Sequence, residues 1–159
     1  KGGTFLLTPP GWQGEVPAEE FLVPFGQAAH RRDGSDVTLI GYGKPMKMVQ
    51  EAAARLAEQG IEADVLDLRS LRPLDEDAVY ASVRKTNRCV IVDESWPVCS
   101  VASHLGWLIS KHCFDVLDAP VECVTSEDVP MPYNHALELA AQPSVEKIVA
   151  AARAVLYKD

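Results

Sequence analysis

Gly41 and Gly43 stand between an apolar run and a helical pattern, and Asp67 lies in the next apolar run. A glycine turn that opens a helix, with a carboxylate for a ribose one strand later, is the skeleton of a dinucleotide site. Met46 occupies the place where a third glycine would allow close helix–strand packing, so the two glycines read better as a tight turn. Asp93 and Glu94 close the run Cys89–Val92, and paired carboxylates at a strand end suit acid–base work. No nucleophile is fixed beside them by motif, which favours capping of the following turn or pairing with Arg69 and Arg72. Those two arginines follow the run Val65–Leu68. They suit an anionic ligand or an acidic partner, and equally an internal network with Asp67, Asp75 or Glu94.

The remaining reactive residue types are scattered. His104 and His112 lie just over two turns apart on one helical pattern, too far for metal ligands on adjacent turns. No spacing ties His30 or His135 to them. Ser100 and Ser103 read as helix-start residues. Cys89, Cys99, Cys113 and Cys123 include no Cys-x-x-Cys pair, so zinc is not expected. Cys89 and Cys123 fall in apolar strand runs, where cysteine acts as a small hydrophobe, and a reduced compartment follows. Trp96, Trp107 and Tyr157 suit interface anchors, with Trp107 equally suited to a core.

The elements that must position these groups follow from periodicity and turn signals. Residues 1–18 read as an irregular arm or interdomain linker. Its Phe5–Leu6–Leu7 run and Trp12 are apolar enough to pack on a neighbour. Gln27–Arg32 reads as a strand, Asp33–Gly34 as a hairpin turn, and Val37–Gly41 as its antiparallel partner. Met46, Val49, Ala53, Leu56 and Ala57 recur at helical spacing, with Pro45 in the first turn and Gly60 beyond the end. Pro73 forces Arg72 out of the helical region. Asp75 then caps a helix to about Lys85, with Leu74 and Val79 as a hydrophobic staple and Asn87 as the stop. Cys89–Val92 is continuously apolar, as a central parallel strand is. A helix over Val101–Cys113, a strand over Val121–Val124, a mostly irregular stretch from Ser126 to Pro143 and a Ser144-capped closing helix complete the chain. The expected fold is a three-layer α/β/α sandwich around a mostly parallel five-stranded sheet with one antiparallel edge strand.

Bulk composition narrows the functions. The 159 residues carry 15 Lys and Arg against 23 Asp and Glu, a formal net charge of −8. With no basic cluster, that excludes nucleic acid and anionic membranes as main partners. No run approaches the roughly 20 apolar residues of a membrane span. The start at Lys1–Gly2–Gly3 lacks both methionine and a signal-peptide core, so we expect a fragment or a processed product.

Several segments in order resemble one family. Asp67–Leu68–Arg69–Ser70–Leu71–Arg72–Pro73–Leu74–Asp75 is similar to its Asp-Leu-Arg-Thr-Leu-Arg-Pro-Leu-Asp signature. Lys85–Thr86–Asn87–Arg88 with Val90–Ile91–Val92–Asp93–Glu94, Ser95–Trp96–Pro97, Phe114–Pro120, Asp128–Tyr133 and Pro143–Val149 continue the match. The family is the C-terminal domain of the β subunit of pyruvate dehydrogenase first components, with a transketolase C-terminal-like fold over residues 19–159. The Asp128–Tyr133 segment favours the pyruvate enzyme over its branched-chain relative.

The resemblance implies an α2β2 enzyme that decarboxylates pyruvate with thiamine diphosphate and magnesium and acetylates a lipoyl group. Its catalytic glutamate lies on another domain, so this chain alone is expected to bind no cofactor and to be inactive. The implied partners are the α subunit, a second β subunit and the peripheral-subunit-binding domain of dihydrolipoyl acetyltransferase. Asp118 and the C-terminal Tyr157, Lys158 and Asp159 are the implied docking contacts, in a mitochondrial matrix or bacterial cytoplasm. Cys99–His104 stands where relatives carry a glycine-rich loop and then Gly-Ala-Glu, so Ser103–His104 replaces the usual glutamate region. A free-standing nucleotide-binding oxidoreductase domain is the contrasting expectation.

Overall fold

A computed structural model describes residue 18 and residues 22–158. Apart from residue 18, the expected arm of residues 1–18 lies outside the described residues, as does Asp159. Strands Ala29–Arg32 (β1), Val37–Gly41 (β2), Ala63–Asp67 (β3), Cys89–Val92 (β4) and Glu122–Val124 (β5) form one sheet in the order β1-β3-β2-β4-β5. Helices Pro45–Ala57 (α1), Glu76–Thr86 (α2), Val101–Cys113 (α3), His135–Ala141 (α4) and Val145–Val155 (α5) complete it. β2 runs parallel to β3 and β4, β4 parallel to β5, and β1 antiparallel to β3.

Period-two alternation within the central strands builds two cores. Leu39, Val65, Val90 and Val92 pack with Val49 and Leu56 of α1 and Ile148, Ala152 and Val155 of α5. Ile40, Leu66 and Ile91 pack on the other face with Val79 and Val83 of α2 and Leu105 and Ile109 of α3. The three-layer α/β/α sandwich is therefore the observed architecture, and no helix among the described residues is long and apolar enough to cross a membrane.

The caps follow the side chains. Asp75 accepts the Ala78 N–H at 3.1 Å, Ser100 the Ser103 N–H at 3.0 Å and Ser144 the Lys147 N–H at 3.2 Å. Asn87 ends α2 in the left-handed region at φ 60°, with Arg84 and Lys85 against the negative end of the helix. The stretch after Ser126 contains α4, capped by the Asn134 side chain.

The hairpin is corrected. Asp33–Gly34 does join β1 to β2, but β3 lies between them and is the strand that pairs with β1. The turn bonds across to the start of β3. Ser35 and Asp36 N–H both donate to the Glu62 carbonyl, at 3.0 and 2.9 Å, and the Asp36 carboxylate accepts the Glu62 N–H at 2.7 Å. Buried Asp64 of β3 accepts the Gly34 N–H at 3.3 Å, the Ser82 hydroxyl at 2.5 Å and Lys85 Nζ at 3.0 Å. A dipeptide turn signal is local and carries no information about this carboxylate on a distant strand.

Cys123 is corrected too. Cys89 is buried, but Cys123 lies exposed on edge strand β5, where only Val124 is buried. The strand starts at Glu122, one residue later than expected.

A Cβ at Gly34 would lie 2.2 Å from the Ala63 carbonyl carbon, a backbone atom that cannot yield by rotating. Gly34→Ala should therefore lower the unfolding free energy by about 2–3 kcal/mol in urea titrations monitored by circular dichroism.

Candidate functional site

In a doubly wound sheet the ligand crevice opens at the carboxyl ends of two adjacent strands from which the chain leaves in opposite directions along the sheet. Here those strands are β2, from which α1 leads to β3 on one side, and β4, from which α3 leads toward β5 on the other. The loops at that point are Gly41–Tyr42–Gly43 and Asp93–Glu94–Ser95. Gly41 is buried, and a Cβ there would meet Met46 Sδ at 2.9 Å and Val49 Cγ2 at 3.2 Å. The helix thus packs on this glycine with Met46, as a tight turn requires, and fills the space that a dinucleotide motif leaves open.

The crevice is bridged by its own side chains. The Tyr42 hydroxyl donates to Asp93 Oδ1 at 2.7 Å, the Ser95 N–H to the same oxygen at 2.9 Å, and the Ala102 N–H to Oδ2 at 3.0 Å. Asp93 thereby ties the β2 loop, its own turn and the first turn of α3 together. Burial pushes its carboxyl up, but the bonds from Ser95, Tyr42 and Ala102 outweigh that and hold it below the usual carboxylate value. Burial and the facing Asp93 charge push the Tyr42 phenol up, so it stays a donor. Glu94 pairs with Lys44 at 2.9 Å.

The expected cluster of Arg69, Arg72, Asp93 and Glu94 is therefore not one network. The carboxylates that would answer the arginines are engaged elsewhere. Asp67 accepts Arg31 Nη2 at 2.6 Å and the Arg69 backbone N–H at 3.1 Å, and Asp75 is occupied with Ala78 and Ala28. Among the described residues neither arginine side chain makes an ion pair; both are exposed. Arg72 joins Leu71, Pro73, Leu74, Glu76 and His104 around a groove of about 460 Å³. His104 stacks on exposed Trp107 with ring centroids 6.0 Å apart, and Lys111 Nζ lies 5.0 Å above the same ring. Trp107 is thus 56% exposed rather than core, and Trp96 is 50% exposed.

Of the residues expected to dock, Asp118 and Tyr157 meet. Arg88 pairs with Asp118 Oδ2 at 3.1 Å, and the Tyr157 hydroxyl donates to the Asp118 carbonyl at 3.1 Å. Tyr157 and Lys158 are exposed. His112 packs on Tyr80 with ring centroids 5.0 Å apart, far from His104 in role. His30 and His135 face the carboxylates of Asp64 and Glu138, each at 3.7 Å. Sequence reasoning missed Tyr42 and Arg88; a tyrosine between two glycines at a strand end was the available signal for the first.

The family of transketolase C-terminal domains matches residues 26–148. The chain belongs to that family. It is 47% identical over 137 residues to the β subunit of acetoin:2,6-dichlorophenolindophenol oxidoreductase of Bacillus subtilis, covering 86% of this chain and 40% of that subunit. It is 41% identical over 141 residues to the mitochondrial pyruvate dehydrogenase E1 β subunit of Dictyostelium discoideum, covering 89% of this chain and 40% of that one. A solved split-gene transketolase, described as an inactive β4 tetramer, superposes with a TM-score of 0.76 at 27% identity, covering 91% of this chain and 46% of its own. The chain thus spans less than half the length of these relatives. Family membership favours a transketolase C-terminal domain over a free-standing nucleotide-binding domain.

The crevice is bridged, and no three His, Cys, Asp or Glu side chains among the described residues are grouped to hold a metal ion.

Because folding lowers the Asp93 carboxyl below its ordinary value of 3.8, its stabilisation is complete above that pH and is lost as pH falls through the lower folded value. Asp93→Asn should cost about 2 kcal/mol near neutrality, since an amide nitrogen then faces an N–H or O–H donor. The gap from the unsubstituted chain should narrow below about pH 4 in urea titrations run across pH.

Proposed function

We propose that this chain is the C-terminal assembly and docking domain of a β subunit in a pyruvate dehydrogenase first component, noncatalytic by itself. One observation supports it above the others. The crevice where this fold takes ligands is spent on the Tyr42–Asp93 bridge, while Arg69, Arg72, Leu71, Trp96 and Trp107 are left facing outward. Groups of that kind suit the centre of a protein interface, where arginine and tryptophan dominate binding energy. On this reading the surface meets a second β subunit and the α subunit. Thiamine diphosphate and magnesium belong to the assembled α2β2 enzyme, in a bacterial cytoplasm or a mitochondrial matrix.

Asp118, Tyr157, Lys158 and Asp159 are proposed to dock the peripheral-subunit-binding domain of the acetyltransferase. Asp118 keeps Oδ1 open among the described residues while Arg88 holds Oδ2. An acidic anchor steers a basic partner and weakens with salt. A second reading gives the assembled enzyme acetoin in place of pyruvate, favoured by the 47% identity to the Bacillus subtilis subunit. Dye reduction by the assembled enzyme with each substrate separates the two.

In isothermal titration against the peripheral-subunit-binding domain, Asp118→Ala should weaken binding about tenfold, equivalent to ~1.4 kcal/mol, and added salt should weaken the parent chain toward it. Unchanged affinity would remove the docking role while leaving the assembly role standing.

A further inference from the structure

A second surface of opposite charge runs between α1 and α5, on the sheet face opposite α2 and α3. It is a groove of about 580 Å³ lined by Arg55, Gln59, Glu146, Val149, Ala150, Arg153, Ala154 and Lys158. Its floor is aliphatic, from Val149, Ala150 and Ala154. One wall is set by Arg55, whose two terminal nitrogens reach Glu146 at 3.0 Å and Glu51 at 2.7 Å. That double ion pair holds the guanidinium in place and spends its charge. The opposite end is different. Arg153 and Lys158 make no ion pair among the described residues, and the Lys158 N–H donates to the Arg153 carbonyl at 3.0 Å, so both side chains start from one capping turn. With Arg55 answered by Glu51 and Glu146, the groove keeps the two cations Arg153 and Lys158 without an ion pair among the described residues, on a chain whose net charge is −8.

We propose that this groove binds an acidic amphipathic helix of a partner protein. Apolar residues of that helix lie on the Val149–Ala150–Ala154 floor, and its carboxylates meet Arg153 and Lys158. A helix laid beside two packed helices adds a third along the same face, and the apolar side chains of such a helix recur at the spacing that a groove of this kind reads. The charge match selects the sign of the partner and its encounter rate, and the floor supplies the buried area. A simple anion would use the cations but leave the floor in water. A basic helix laid on this floor would bring like charge to Arg153 and Lys158. The proposal does not rest on the docking role of Asp118.

The test is fluorescence anisotropy with the full 159-residue chain and a fluorescein-labelled helical peptide carrying leucine on one face and glutamate on the other. Two control peptides carry lysine in place of glutamate, or glutamate with no leucine. The leucine–glutamate peptide should bind and both controls should bind at least tenfold more weakly. Arg153→Glu with Lys158→Glu should weaken binding about tenfold, while Asp118→Ala should leave it unchanged. Lys158 is exposed and Arg153 half-buried, and circular dichroism verifies the fold of the variant. Amide shift mapping on the unsubstituted chain should place the perturbations at Val149, Ala150 and Ala154. Equal binding of the lysine peptide, equal binding of the leucine-free peptide, or shifts confined to another face would each overturn the proposal.

Discussion

One buried carboxylate sets what this domain can do. Asp93 ends the continuously apolar strand β4, where a charge is expensive unless several donors meet it. Three groups do: a hydroxyl from the β2 loop, the N–H of its own turn and an N–H from the first turn of α3. Each belongs to a different segment, so a single side chain fixes how β2, β4 and α3 meet at the carboxyl edge. The arrangement draws the crevice shut. A fold that elsewhere places a ligand at this point here spends the same geometry on cohesion, and Arg69, Arg72, Trp96 and Trp107 face outward.

A second buried carboxylate does comparable work at the opposite edge. Asp64 gathers the Gly34 N–H, the Ser82 hydroxyl and Lys85 Nζ, and Asp33 shares the Lys85 ammonium. Thr38 Oγ1 continues the network to Thr86 at 2.8 Å. Partly satisfied, such a cluster would be costly. Satisfied, it specifies which strand lies next to β1. The sheet is thus pinned at both ends by an aspartate on an apolar strand.

The architecture was legible because its signals are periodic and local. The Val65–Leu68 and Cys89–Val92 runs, the stripe of Ile148, Ala152 and Val155, and the caps Asp75, Ser100 and Ser144 each declare themselves within a few residues. What escaped was decided at long range. Asp33–Gly34 has the chemistry of a hairpin turn, yet Asp64 placed β3 inside it. Cys123 sits in an apolar run but on an edge strand whose faces the sequence alone does not assign. At the site, Asp93 was legible as a capping group. Its tyrosine partner was not, because 51 residues separate Tyr42 from Asp93. Of the two alternatives open for Arg69 and Arg72, the internal network is the one the structure removes, because Arg31 and Lys44, outside the motif, hold Asp67 and Glu94.

The brevity of β5 bears on how such a domain can be joined to others. Its three residues close the sheet on one side, with Glu122 and Cys123 open to solvent. A short border with a charge on it is a poor template for annealing a foreign strand, a safeguard against fibre growth. Backbone zippering is thereby discouraged along that border, and recognition there falls to side chains, which can be altered one at a time without unravelling the sheet.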